Sequence, residues 1–335
     1  MRNFKIAVAA LAFAGAVTSA AVPASAQGIN ITTTGGSARG FIKAVVESFH
    51  ALYRDVYPGT SATFKPSSVA GGMVSVASRK ADISFALPQV ELKAGLAGNA
   101  PFKESLRGKL GAMMTFVDKL EFFFVAEKNW AKENGITSLA DIARVKPAVR
   151  LNLNRKGTFY AIEAAKATFK QYGFTLEDIK SWGGSVINSS SGRQIQNMRD
   201  GKIDMIFNSS FHPDGRMLNL LKSRELVWIN ADADKMAAAA RLVEMEPTTI
   251  KKGTYSFIDS DKPTMAAWLT MAAGTHVPTE TVYKMVKAVA ENFDRVRAIH
   301  PMLKKFGKDM MTKKPADFAW HPGAAKYYRE RGWIK

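Results

Sequence analysis

Four short polar turns carry the residues whose types and spacing could do chemistry. The first is Thr33-Thr34-Gly35-Gly36-Ser37, with Arg39 and Phe41 just beyond it. The second is Ser67-Ser68-Val69-Ala70-Gly71-Gly72, and the third is Asn154-Arg155-Lys156-Gly157-Thr158, followed by Phe159. The fourth is Asn208-Ser209-Ser210-Phe211-His212-Pro213. Each follows a β-prone run and precedes a helical pattern. A turn of that kind directs unpaired backbone N–H groups and the positive end of a helix dipole at one spot, which suits an anion. The hydroxyls of Ser37, Ser67, Ser68, Thr158 and Ser209 and the amides of Asn154 and Asn208 can orient a polar solute. Arg39 and Arg155 can grip a carboxylate with two prongs. Gly36 and Gly157 bring backbone close to the bound group, and Phe41, Phe159 and Phe211 could close over it. Each of these residues also has a purely structural reading: Ser and Thr cap helices, arginines are solvated, and helix aromatics pack in cores.

Other chemistries lack their parts. The chain has no cysteine, which removes disulfides, thiolate nucleophiles and thiolate metal sites. Neither a G-x-S-x-G elbow nor an S-x-x-K pair is present, and the phosphate-binding G-x-x-x-x-G-K-[ST] and G-x-G-x-x-G patterns are absent as well. The five histidines, His50, His212, His276, His300 and His321, show no metal-ligand spacing, so neither a metal nor a cofactor is expected.

The elements that must position these turns alternate strand and helix. Ile29–Thr33 is a strand, and Ile42, Val45, Val46, Phe49, Tyr53 and Val56 form one helix face. Ser61–Phe64, Ile83–Ala86, Val149–Leu153, Met205–Phe207 and Leu226–Ile229 are further strands, and Phe159–Tyr172 is an amphipathic helix. Ser67–Phe85 and Ser189–Phe207 are equal in length, and Ser67/Ser189, Ser68/Ser190, Lys80/Lys202, Asp82/Asp204 and Phe85/Phe207 coincide when they are superposed. That coincidence predicts an internal duplication. Two copies of a strand–turn–helix unit predict an α/β protein of two lobes, each a mostly parallel sheet flanked by helices, with the turns facing a shared cleft. Residues 27–118 with 231–335 would form the first lobe and residues 119–230 the second. Leu120–Ala126 is the candidate crossover. Thr264–Ala273 suits a buried strand, a single long helix is expected from Thr279 to about Ile299, and the aromatic-rich tail from Pro315 should pack back on the first lobe.

Of the 335 residues, 47% are hydrophobic and 23% charged, an ordinary globular balance with length enough for two domains. Arg2 and Lys5, the apolar run Ile6–Val17 and Ala24-Ser25-Ala26 read as a secretory signal peptide cleaved after Ala26. The mature chain would therefore be exported, most simply to a bacterial periplasm. The formal charge of +18 falls to +16 once Arg2 and Lys5 are removed. Such a surface attracts anions. Export and the even spread of the basic residues argue against nucleic acid as a partner.

The mature chain resembles the TAXI-family solute receptors of TRAP transporters. The matching segments are Thr33–Ser37, Ser67–Phe85 ending Lys80-Ala81-Asp82-Ile83-Ser84-Phe85, Gly201-Lys202-Ile203-Asp204, Lys252-Gly253-Thr254-Tyr255, and His321-Pro322-Gly323-Ala324-Ala325-Lys326-Tyr327-Tyr328-Arg329-Glu330. The resemblance implies a monomeric two-lobed periplasmic binding protein of type II-like fold, without enzymatic activity, that passes a small anionic solute to a TRAP-type permease. The solutes it implies are glutamate-like amino acids and dicarboxylates or 2-oxo acids. Arg39 and Leu87 depart from the family pattern. A sensing partner of a membrane signalling protein and, more remotely, a periplasmic hydrolase are the alternative roles.

Overall fold

The computed structural model describes residues 28–36, 38 and 41–335. The proposed signal peptide, Ser37 and Arg39 lie outside the described residues.

The chain alternates as its patterning requires. It begins with β1 (Asn30–Thr34), α1 (Phe41–Val56), β2 (Ser61–Lys65), α2 (Val69–Ala77), β3 (Ile83–Pro88) and α3 (Gln89–Ala97). The long β4 (Leu110–Glu127) leads to α4 (Lys128–Glu133), α5 (Leu139–Val145), β5 (Arg150–Leu153), α6 (Tyr160–Gln171), α7 (Leu176–Ser181), β6 (Ser185–Asn188), α8 (Ser191–Arg199), β7 (Met205–Ser210), α9 (Gly215–Leu220) and β8 (Leu226–Trp228). Then follow α10 (Ala233–Leu242), β9 (Glu246–Ile250), β10 (Lys262–Gly274), α11 (Thr279–Ala290), α12 (Phe293–Ile299), α13 (Lys308–Met311) and α14 (Pro322–Glu330).

The sheet runs β2-β1-β3-β10-β4-β7-β5-β6, with β8 paired to β4 and β9 to β10. Its two ends are the same motif. β1 pairs in parallel with β2 and β3, and β5 pairs in parallel with β6 and β7. The antiparallel pair β4 and β10 joins these ends. This is an α/β fold of two lobes whose sheets meet through two long shared strands.

The duplication extends to individual hydrogen bonds. Asp82 accepts from Thr32 N at 2.6 Å and returns its own N–H to Thr32 O at 2.8 Å. Asp204 accepts from Arg150 N at 2.8 Å and returns its N–H to Arg150 O at 2.9 Å. Each aspartate thereby ties the strand that ends its unit to the strand that starts its lobe. Ser68 caps α2 by accepting from Gly71 N, and Ser190 caps α8 by accepting from Arg193 N.

α1 buries Val45, Val46, Phe49, Leu52 and Tyr53, the face its spacing defines. Ahead of it Gly35 and Gly36 take φ 90° and 92°. A Cβ on Gly35 would meet Phe85 O at 2.4 Å, so only glycine fits. The expected single helix from Thr279 to Ile299 is two helices, α11 and α12. Asn292 turns its side-chain amide onto Ala288 O at 2.8 Å and takes φ −132°, ψ 41°. Local side-chain bonding of this kind competes with helix continuation. The tail docks as α14 against α11, and Tyr328 donates its hydroxyl to Met113 O at 2.7 Å. The division near residue 119 falls within β4, and α10, just past residue 231, packs on α6.

Candidate functional site

The turns of both halves meet around one cavity of about 480 Å³. Gly36, Phe41, Ile42, Val69, Ala86 and Pro88 wall it from the first half. The second half supplies Asn154, Arg155, Thr158, Tyr160, Ser191 and the run from Ser209 to Arg216 without His212. Leu120 and Leu269, on the two shared strands, and Ile299 and His300, at the end of α12, complete the wall. The halves already touch here: Ala70 N donates to Gly157 O at 3.2 Å.

The third turn brings the least satisfied groups to the cavity. Nε of Arg155 and Oγ1 of Thr158 are buried without a hydrogen-bond partner. A buried donor left unmatched costs stability unless something fills it. Asn154 is fixed by its neighbours. Its Nδ2 donates to Asn208 Oδ1 at 3.1 Å, and its Oδ1 accepts from Arg155 N at 2.8 Å. Asn208 does not line the cavity. It is buried and donates to Ser191 Oγ at 3.0 Å and Gln194 Oε1 at 2.6 Å, so it positions Asn154 and Ser191.

The fourth turn supplies an ion pair. Arg216 reaches Asp214 through Nε at 3.0 Å and Nη2 at 2.6 Å, and Ser210 donates to the same carboxylate. Burial opposes ionisation of Asp214, but the arginine outweighs it and holds the carboxyl below its usual range. Ser209 Oγ lies 2.7 Å from the Tyr160 hydroxyl, whose ionisation burial pushes up. Tyr255 braces the turn by accepting from Asp214 N at 2.6 Å and meeting His212 Nδ1 at 2.8 Å. Across the cavity Phe41 packs on Phe211 with ring centroids 3.9 Å apart, and His300 lies 4.8 Å from Phe41. Burial lowers the His300 pKa, which favours its neutral form.

Of the residues singled out from sequence, Gly36, Phe41, Asn154, Arg155, Thr158, Ser209 and Phe211 line the cavity. Ser67, Ser68, Gly157 and Phe159 do not. The Ser67 hydroxyl is consumed by Thr34 Oγ1 at 2.9 Å, Gly35 N at 3.1 Å and Ser68 O at 2.9 Å. Ser68 is spent on its cap, and Gly157 abuts Ser68 from the other half. Phe159 turns into a separate hollow beside Ala100 and Pro101 and packs on the smaller apolar core. Leu87 is buried in that same core, between the cavity-lining Ala86 and Pro88.

Sequence reading missed Tyr160, Ser191, Asp214, Arg216 and His300. Ser191 lies in the repeated segment Ser189–Phe207, and Asp214-Gly215 is a legible cap signal one residue past the fourth turn. Glu91 gave no signal. It lies on α3, fully buried, and its Oε1 accepts the Tyr160 N–H at 2.8 Å, the first amide of α6. The N-terminus expected to receive a solute is thus partly occupied by a carboxyl group of the other half. Burial raises the Glu91 pKa to about 8, against the pull of that N–H, and its Oε2 has no partner.

The profile of the NMT1-like family matches residues 62–332. The chain belongs to the NMT1-like family. The matched span includes every segment on which the resemblance to TAXI receptors rests except Thr33–Ser37. Two solved structures share the fold of this NMT1-like chain. MatC from Rhodopseudomonas palustris, solved with bound malate, is 14% identical over 91% of this chain and 97% of its own, with a TM-score of 0.54. PhnD1 from Prochlorococcus marinus, solved with methylphosphonate, is 10% identical over 91% of this chain and 99% of its own, with a TM-score of 0.55. The fold is that of two-lobed periplasmic binding proteins. Among the described residues no helix is long and apolar enough to cross a membrane, and no cluster of His, Asp and Glu could hold a metal ion.

Proposed function

We propose that the chain is an exported solute-binding protein that closes around a small carboxylate-containing solute and hands it to a membrane permease of TRAP type. One observation carries the reading: turns of both repeats wall one cavity, and at the third turn Arg155 and Thr158 hold buried polar atoms with no protein partner. An arginine fork and a hydroxyl are a matched pair for a carboxylate. The malate and methylphosphonate in the two structural neighbours are also small anions.

Capture rather than chemistry fits the hydroxyls. Ser209 is bonded to Tyr160, Ser210 to Asp214, and Ser191 accepts from Asn208. Tyr160 and Asn208 are not bases, and Asp214 is weakened as a base by the arginine paired to it. Hinge closure about β4 and β10 would desolvate the solute and shape the surface a permease reads.

Calorimetry on the mature chain, stripped of carried-over ligand, tests this against a panel of carboxylates. Arg155→Ala is expected to weaken binding at least 30-fold, about 2 kcal/mol for a lost charge-assisted contact, while the apo melting temperature stays within about 2 °C. Absence of binding across the whole panel refutes the reading.

A further inference from the structure

Within that proposed function, we infer that the solute is an amphipathic monocarboxylate, and that dicarboxylates and α-amino acids are poor ligands. The charges on the cavity wall carry this. Among the described lining residues the ionic side chains are Arg155, Asp214 and Arg216. Asp214 and Arg216 neutralise one another through a two-pronged contact. Among the described residues Arg155 makes no ion pair, and its Nε is unmatched. The described wall therefore offers one uncompensated positive charge, which one carboxylate balances.

A second carboxylate would have no such partner on the described wall. The amide that opens α6 already donates to Glu91, which puts a carboxyl group where a second anionic group would otherwise gain from the helix end. An ammonium group fares no better. Asp214 is the sole carboxylate on the described wall, and Arg216, its backbone N–H and Ser210 occupy both oxygens. Burying an unmatched charge is costly. An uncharged body is welcome instead: Phe41, Ile42 and Val69 from one half meet Phe211 from the other, with Leu120 and Leu269 between.

Hexanoate, adipate and 2-aminoadipate share a six-carbon chain and differ only in the second carboxylate and the ammonium, so calorimetry with the three isolates these terms. Hexanoate is expected to bind at least tenfold more tightly than either of the others. From butanoate to hexanoate, each methylene should tighten binding about fourfold, equivalent to about 0.8 kcal/mol per buried CH₂. Asp214→Asn keeps a capping side chain on α9 but frees the Arg216 charge. It should raise the ratio of adipate to hexanoate affinity at least tenfold. Adipate or 2-aminoadipate binding as tightly as hexanoate overturns the inference and leaves the proposed function standing. An unchanged ratio in Asp214→Asn also overturns it. If no carboxylate binds, both readings fall.

Discussion

The two repeated units agree in their scaffold and disagree in their chemistry. Each has the same strand order, a serine cap, and an aspartate that exchanges two backbone hydrogen bonds with the first strand of its lobe. At the cavity they part. Among the described residues the first half presents Gly36, Val69, Ala86 and Pro88, with the Ser67 hydroxyl consumed by Thr34, Gly35 and Ser68. The second presents Arg155, Thr158, Ser209 and the Asp214–Arg216 pair. The bonds that hold strand to strand constrain a residue in both copies, whereas the turn beyond each strand end is free to vary. Among the described residues one copy presents an apolar wall and the other a polar one.

Glu91 is the point where the apolar half reaches into the polar one, and its variant should show the largest effect. Burial raises the folded-state pKa from 4.5 to about 8. The folded protein therefore binds a proton over a range where the unfolded chain has released it. Stability from this group is fully present below about pH 4.5 and falls as pH rises towards 8, by up to roughly 5 kcal/mol at about 1.4 kcal/mol per unit. Urea unfolding at pH 5 and pH 8 should show most of that loss in the wild type, and Glu91→Gln should remove most of it. A wild-type curve as flat as the variant's would mean that the two halves are not coupled through this carboxyl.

A smaller effect separates the paired aspartates. Asp204 accepts from Arg150 N and from Nε and Nη2 of the same residue, at 3.0 and 2.5 Å for the side chain. The Asp82 carboxylate serves Thr32 N and lies 3.4 Å from His276 Nε2. Asp204→Ala is expected to cost about 3 kcal/mol, the low end for breaking a buried pair because Arg150 is half exposed. Asp82→Ala should cost about 1.5 kcal/mol for its lost acceptor. Equal costs in chemical denaturation would show that the backbone bonds, common to both copies, dominate.

The parts legible in the sequence were those governed by local rules. Apolar periodicity located α1, glycine and serine marked the turns, and the offset between Asp82 and Asp204 exposed the duplication. What escaped notice depends on contacts distant in sequence. Glu91 is 69 positions from the amide it meets, and nothing around it differs from an ordinary helix start. Ser67 and Ser68 read like Ser209, since a hydroxyl spent on protein groups and one facing a cavity share the same local pattern. Asn292 was read as part of a continuous helix face, because the flanking apolar spacing masks a single side-chain bond.

Closure itself gives the smallest and most selective test. Gly157 stands in the polar half with an ordinary φ, so alanine strains no backbone there, but a Cβ would lie 2.8 Å from Ser68 Oγ in the apolar half. The contact exists only when the halves meet. Gly157→Ala should therefore weaken solute affinity about three- to fivefold, about 1 kcal/mol, with little change in apo unfolding if the apo protein is open. Ser68→Ala removes the opposing oxygen and costs α2 its cap, about 1 kcal/mol of stability. Combining the two should restore part of the affinity lost in Gly157→Ala, because the collision needs both atoms. A double-mutant cycle on solute affinity measures that coupling. Strict additivity would place the hinge's resting point elsewhere, with the two turns apart in the solute-bound state.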